Sequence, residues 1–547
     1  MSGPAHLVVA PIVIPLAAAA LMVALRERRR IERALVSVVA SAASFAVAIA
    51  LVAVVDRDGT IAVYLPSNWP VPFGIALAVD RLAALMLALA SFLGLASSIY
   101  ASARWQRAGV HFQPLFQILL MGLHGAFLTA DLFNLFVFFE VMLAASYGLL
   151  LHASGPGRVR AGLHYLAINL VGSTLFLVGV AMLYGVTGTL NFADMAVKFS
   201  AIPATDRGLL LAGTAVLAVA FLVKAATWPL GFWLVPAYAA ASPPAAAAFA
   251  IMTKVGIYAI LRIGSLLHLG PDPQLDGFIA ATLVAGGLAT LAFATAGLAA
   301  SRRLARLASF AILASSGTLL ATVGFGGAAA TAAALFYLAV STIAAGSLFL
   351  LVESVERVDV PEPEGDLVDE ASTLPFALDR LELPAGVNLD DDEEALVGKV
   401  FPAAVVFTGL SFVASALLVA GLPPLSGFLA KVAILGAVLG ADAGGGGEVS
   451  AASWAFVALV IVSGLAAMLS LARAGIGHLW AASERGAPQI RIVEGLPIAL
   501  LTAAGIAATV AAGPAMRYAG DAAASIHDAR GYVEAVLSAR VVGGASR

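Results

Sequence analysis

The chain has 547 residues, 61% of them hydrophobic and 12% charged, with a mean hydropathy of +0.98. Soluble domains carry roughly 45–50% apolar and about 25% charged residues, so a water-soluble globule and a disordered chain are both excluded. The net charge of −3 conceals an uneven distribution: 353–394 holds 15 acids and 2 arginines, while the remainder holds 18 acids against 28 bases.

With about 20 apolar residues needed per crossing, the hydrophobic runs predict fourteen spans, near 6–25, 33–55, 76–99, 113–130, 132–152, 162–185, 208–228, 245–268, 277–300, 306–325, 329–352, 400–420 continuing to 440, 451–473 and 495–513. The first run lacks a basic segment before it, so it reads as a retained helix. The twelfth run, at 41 residues, would make a straight helix of about 60 Å, and Pro423 and Pro424 inside it predict a break. Basic loops follow spans 1 (Arg26, Arg28, Arg29, Arg30, Arg33), 3 (Arg104, Arg107), 5 (Arg158, Arg160), 9 (Arg302, Arg303, Arg306) and 13 (Arg485, Arg491). This alternation predicts cytoplasmic placement of those loops and both termini external. The acidic segment reads as a solvated cytoplasmic loop, the glycine run 444–447 as a flexible connector, and 525–537 as a short amphipathic helix at the membrane surface.

Two interrupted segments look related: Trp228-Pro229-Leu230-Gly231-Phe232-Trp233 and Leu422-Pro423-Pro424-Leu425-Ser426-Gly427-Phe428. Paired broken segments in corresponding halves point to a transporter site built from an inverted repeat.

The chemistry lies in charges inside the spans. Of 25 arginines and five lysines, three lysines (Lys224, Lys254 and Lys431) sit within apolar runs, and among the arginines only Arg262 comes close. Arginine stays protonated in any protein environment, whereas buried lysine can release its proton. A group that alternately holds and releases a proton in the membrane should therefore be lysine. Glu140 stands mid-span in Phe-Val-Phe-Phe-Glu140-Val-Met-Leu; an isolated carboxylate there costs at least about 2.5–3.5 kcal/mol, which predicts an ion pair with a buried lysine. His124 and His164 belong either to a proton path or to the satisfied core. Asp80-Arg81 reads as a local interfacial pair, Asp131 and Asn134 as helix caps, and Ser309, Ser315, Ser316 and Thr318 as water-ordering or packing groups. The absence of cysteine excludes disulfides, thiolate metal sites and cysteine nucleophiles. No phosphate loop, zinc spacing or nucleophile elbow occurs, and no cofactor, metal or nucleic acid is expected.

With those residues in view, the quartet Glu140, Lys224, Lys254 and Lys431, each in its local motif, resembles the antiporter-like membrane subunits shared by respiratory complex I, membrane-bound hydrogenases and Mrp-type cation/proton antiporters. Three stretches resemble the D subunit of the Mrp antiporters in particular: Tyr184-Gly-Val-Thr-Gly-Thr-Leu-Asn-Phe-Ala-Asp194, Met252-Thr-Lys254-Val-Gly-Ile-Tyr258 and Tyr532-Val-Glu-Ala-Val-Leu537. The resemblance implies an all-α polytopic protein of fourteen spans with two inverted five-helix repeats, spans 4–8 and 9–13, broken at spans 7 and 12. It divides the chain into 1–112 (spans 1–3), 113–268 (first repeat), 269–474 (second repeat, with the acidic loop 353–397) and 475–547 (last span and tail). It further implies a plasma-membrane Na⁺(or K⁺)/H⁺ antiporter, with a large A-type subunit and small membrane subunits as partners in the bilayer. In that reading Glu140 tunes Lys224, Lys254 relays and Lys431 is the exit group. Span 11 departs from the family: Leu338-Ala-Val-Ser341-Thr342-Ile-Ala-Ala-Gly346 lacks the usual histidine, leaving Ser341 and Thr342 to hold water instead. The competing readings are a proton-pumping component seated on a redox module, and a non-transporting scaffold.

Overall fold

The computed structural model describes residues 4–26, 28–105, 109, 111–153, 155–199, 201–203, 205–267, 273–356, 403–444, 449–480 and 490–541. The acidic segment beyond Glu356 and the glycine run 445–447 lie outside these residues. Among those described, thirteen helical segments are long and apolar enough to cross a membrane.

The N-terminal spans are α1 (Pro4–Ala24), α2 (Arg30–Asp58) and α3 (Arg81–Ala103), with a two-stranded antiparallel ribbon, β1 (Ala62–Tyr64) and β2 (Leu77–Val79), between α2 and α3. The apolar run predicts a third span from 76; instead 77–79 pair with β1. The helix begins at Arg81 because the Asp80 carboxylate accepts the Ala83 N–H at 2.9 Å, an N-cap. The next five crossings are α4 (Phe112–Leu128), α5 (Leu132–Leu150), α6 (Pro156–Thr187), then α7 (Phe192–Phe199) lying outside the crossings, α8 (Arg207–Lys224) with α9 (Leu234–Ala240), and α10 (Pro243–Phe249) with α11 (Met252–Leu267). α4 is the shorter apolar helix that completes the fourteen expected spans. Asp131 caps α5 by accepting the Asn134 N–H at 2.8 Å. The following five are α12 (Pro273–Ala300), α13 (Leu304–Phe325), α14 (Ala328–Glu356), α15 (Ala403–Ala420) with α16 (Ser426–Gly444), and α17 (Ala451–Gly475). α18 (Ile492–Val510) is the last crossing, and α19 (Ala512–His527) and α20 (Arg530–Leu537) form the tail.

Both interrupted segments break in the same way. Just beyond α8 the chain takes a positive φ at Ala226 (57°), and just beyond α15 at Gly421 (72°). In each, the next N–H reaches back five residues: Thr227 to the Leu222 carbonyl at 3.0 Å, and Leu422 to the Leu417 carbonyl at 3.1 Å. This is a helix stop that satisfies carbonyls otherwise orphaned in hydrocarbon. The motif glycines then lie on backbone carbonyls. A Cβ at Gly231 would fall 1.9 Å from the Ala226 oxygen, and one at Gly427 2.1 Å from that of Leu418. Each break is also tied to a neighbouring helix by a hydroxyl. The Trp228 N–H donates to Thr290 Oγ1 of α12 at 2.8 Å, and Ser426 Oγ donates to the Gly505 carbonyl of α18 at 2.7 Å.

The tail differs from the expected surface helix over 525–537. The chain turns at Asp528, and Tyr532, Val533 and Val536 of α20 are buried where α20 packs on α7 and β1. Its apolar face is thus spent on the protein rather than on lipid.

Candidate functional site

Glu140 on α5 and Lys224, the last residue of α8, are joined through α6. Tyr165, Asn169 and Ser173 recur every fourth residue and so share one face of that helix. Ser173 Oγ donates to Glu140 Oε1 and contacts the Asn169 carbonyl oxygen at 3.0 Å, and Lys224 Nζ donates to Asn169 Oδ1 at 3.3 Å. The expected direct ion pair is therefore replaced by one bridged across a face of α6, where Glu140 meets Ser173, Ser173 meets only the backbone carbonyl of Asn169, and Lys224 meets the Asn169 side chain; no carboxylate lies within 4.0 Å of Lys224 Nζ among the described residues. The geometric reason is that α6 lies between the two helices' polar groups. Lys224 Nζ also stands 5.8 Å above the Phe139 ring, a cation–π contact. Beside it is a cavity of ≈ 20 Å³ lined by Phe139, Met142, Tyr165, Asn169 and Trp233, room for about one water molecule.

Lys254 is 1% exposed. α11 starts beyond a short break after α10 and packs so closely on α8 that a Cβ at Gly256 would meet the Phe221 carbonyl at 2.8 Å. The ammonium donates to Ser315 Oγ at 2.5 Å and to Ser316 Oγ at 3.4 Å, both on α13. α13 in turn packs on α14, α16 and α17.

Lys431 is 9% exposed and donates to the Ala420 carbonyl, the last of α15, at 2.6 Å. A helix C-terminus carries partial negative charge, so it suits a cation. Two glycines make the room. A Cβ at Gly421 would lie 2.9 Å from Lys431 Nζ, and one at Gly464 of α17 would lie 3.3 Å from Nζ and 2.8 Å from the Ala420 oxygen.

Of the other expected positions, none of His124, His164, Ser341 and Thr342 is bonded to these three lysines among the described residues. His124 is fully buried between α1, α3 and α4, with Nδ1 donating to the Pro11 carbonyl at 2.7 Å and Nε2 3.0 Å from Ser91 Oγ; it is a satisfied core histidine. His164 is exposed, its ring 5.1 Å from that of Phe232 and tilted 55° to it. Ser341 and Thr342 both turn back to the Leu338 carbonyl, at 3.3 and 2.5 Å. Asp80 pairs not with Arg81 but with Arg262 of α11 at 2.6 Å, and Arg81 reaches Asp56 at 3.7 Å. Asn169 and Ser173 escape the reading of the sequence, where the four-residue spacing of polar groups in span 6 is the available signal. Ser315 and Ser316 stand out there only as packing or water-ordering groups, whereas the fold sets both on Lys254.

A polytopic bundle with lysines at three breaks within its crossings defines an antiporter-like membrane subunit, and a model of the family described as NADH:quinone oxidoreductase/Mrp antiporter, transmembrane, matches residues 129–365. The chain is 47% identical over 539 residues to the D subunit of a probable K⁺/H⁺ antiporter of Rhizobium meliloti, covering 98% of each. It is 33% identical to the D subunit of the Na⁺/H⁺ antiporter of Alkalihalophilus pseudofirmus, over 97% of this chain and 99% of that one. In the solved Mrp complex from Dietzia sp. DQ12-45-1b, a chain of 28% identity superposes with a TM-score of 0.78, over 98% of this chain and 100% of that one. The chain belongs to the D-subunit family of the Mrp-type monovalent cation/proton antiporters.

Proposed function

We propose that this chain is the proton-translocating subunit of a multisubunit antiporter that exchanges cytoplasmic Na⁺ or K⁺ for external H⁺. In this reading it sits in the plasma membrane with both termini outside, alongside a large A-type subunit and small membrane subunits. It is a transporter subunit whose chemistry is proton transfer.

One observation carries the reading. All three lysines within the spans are held by neutral groups: an amide oxygen, two hydroxyls and a helix-terminal carbonyl. An ammonium ion paired directly with a carboxylate leaves an orphan anion when it discharges, which is costly in hydrocarbon. An ammonium on a neutral dipole leaves none. Such a lysine can lose and regain its proton as the field around it changes. Glu140, one bridge away, biases Lys224 toward the charged state without locking it there. Deprotonating one lysine then alters the field on the next, from Lys224 through Lys254 to Lys431. On the way from Lys254 to Lys431, Ser315 and Ser316 of α13 hold the Lys254 ammonium, and α13 packs on α16, which carries Lys431. The membrane potential contributes about 2.3 kcal/mol per charge per 100 mV, comparable to the cost of one charge at mid-span, so it can drive these steps.

The test is Lys224→Ala or Lys431→Ala in the assembled complex, with cation-driven ΔpH measured in everted vesicles. Exchange should be lost. Full exchange by an assembled variant removes the reading.

A further inference from the structure

Helix α11 carries more than the central lysine. Lys254, Tyr258 and Arg262 recur every fourth residue and so share one face of the helix. They run about 12 Å from mid-span to the end nearest the tail helices. That end is closed by residues from three distant parts of the chain. Arg262 and Asp80, the cap of α3, form an ion pair of 2.6 Å with side chains each 5% exposed. The guanidinium lies 5.6 Å from the centre of the Tyr258 ring and 4.6 Å from that of Tyr532, in α20. Tyr258 is itself fixed, donating to the Phe127 carbonyl at 2.7 Å.

Arg262 differs from the three lysines in kind. They rest on neutral partners; Arg262 rests directly on a carboxylate and cannot discharge. It is a fixed charge at the end of a polar stripe that starts at a dischargeable one. A buried charge pair in contact with two aromatic rings excludes water, and breaking it is expensive.

We infer that Asp80, Arg262 and Tyr532 form a lock that closes the tail-side end of a Lys254–Tyr258–Arg262 route, so that protons on Lys254 reach that side only when the lock parts. The three are positioning residues, acting through access to Lys254, and the inference rests on the proposed role of that lysine. The tail thereby gains a role, because α20 supplies the lid. No proton is created or consumed here; one passes from the Lys254 ammonium to water and is replaced from the other side.

The experiment is passive proton leak in vesicles containing the assembled complex, without added Na⁺ or K⁺, at an imposed ΔpH. Asp80→Asn should raise the leak about tenfold, since one broken buried pair shifts a closed–open equilibrium by at least that factor. Tyr532→Ala should raise it as well, and Tyr532→Phe, which keeps the ring over Arg262, should match the wild type. Adding Lys254→Ala to Asp80→Asn should abolish the leak. Wild-type leak in assembled Asp80→Asn and Tyr532→Ala overturns the inference, as does a leak that survives Lys254→Ala. If Asp80→Asn fails to assemble, the pair Tyr532→Ala and Tyr532→Phe decides by the same criterion. Exchange by Lys254→Ala alone is read separately: if it stays intact, the proposed role of the lysine fails, whatever the lock variants do.

Discussion

Replacing Asn169 by leucine tests the bridge between Glu140 and Lys224. Leucine matches asparagine in branching but cannot accept from Lys224 Nζ, so packing on α6 changes little while the hydrogen bond is lost. That bond runs from a charged donor and is 3.3 Å long in a partly buried setting. Such bonds contribute about 1.5–3 kcal/mol, which corresponds to a fall of about 10- to 150-fold in exchange rate if the bond is needed in the rate-limiting step. The informative quantity is coupling. Glu140→Gln alone removes the charge that biases Lys224; in an Asn169→Leu background the path for that influence is already cut. The double variant should then be little worse than either single one, with a coupling energy of about 1 kcal/mol or more. The assay is initial ΔpH formation in everted vesicles at several Na⁺ and K⁺ concentrations, normalised to assembled complex. Strictly additive effects of Glu140→Gln and Asn169→Leu would refute the bridge.

Ser315→Ala with Ser316→Ala leaves the Lys254 ammonium without either accepting hydroxyl; exchange should fall about tenfold or more in the same assay while the complex remains assembled. Gly464→Ala places a methyl 2.8 Å from the Ala420 oxygen that Lys431 uses, so exchange should fall sharply with a stability loss of only about 1–3 kcal/mol, checked by thermal denaturation in detergent. His124→Leu strands the Pro11 carbonyl and Ser91 hydroxyl; it should lower the melting temperature by the loss of about 1–3 kcal/mol yet leave exchange per assembled complex near the wild-type rate.

The membrane architecture is legible in the sequence because its signals are local. Long apolar runs mark the crossings, and Pro229 and Pro424 with their glycines mark the breaks. The scarcity of lysine makes Lys224, Lys254 and Lys431 conspicuous wherever they lie. What cannot be read is what meets what across helices. Asp80 looks like a partner for its neighbour Arg81, but its true partner is 182 residues away, and only the tertiary fold brings them together, with α3 packed on α10, the helix before α11, and on α19. A direct Glu140–Lys224 pair is the simplest way to neutralise two charges inside the spans, and it is wrong in detail because α6 interposes two small polar side chains. Residues 77–79 are apolar enough for a span but are drawn into a ribbon by β1. The tail's amphipathic pattern is visible, yet the same pattern suits lipid or protein, and only the fold chooses α7 and β1.

Discharge of the lysines within the spans is the central claim, and Lys254→Arg probes it most directly. Arginine keeps the positive charge and can still donate to Ser315 and Ser316, but it cannot give up its proton at physiological pH. With assembly verified, cation-driven ΔpH in vesicles should vanish in Lys254→Arg. Exchange at the wild-type rate would mean that a permanently charged group serves there equally well, and the relay would be contradicted.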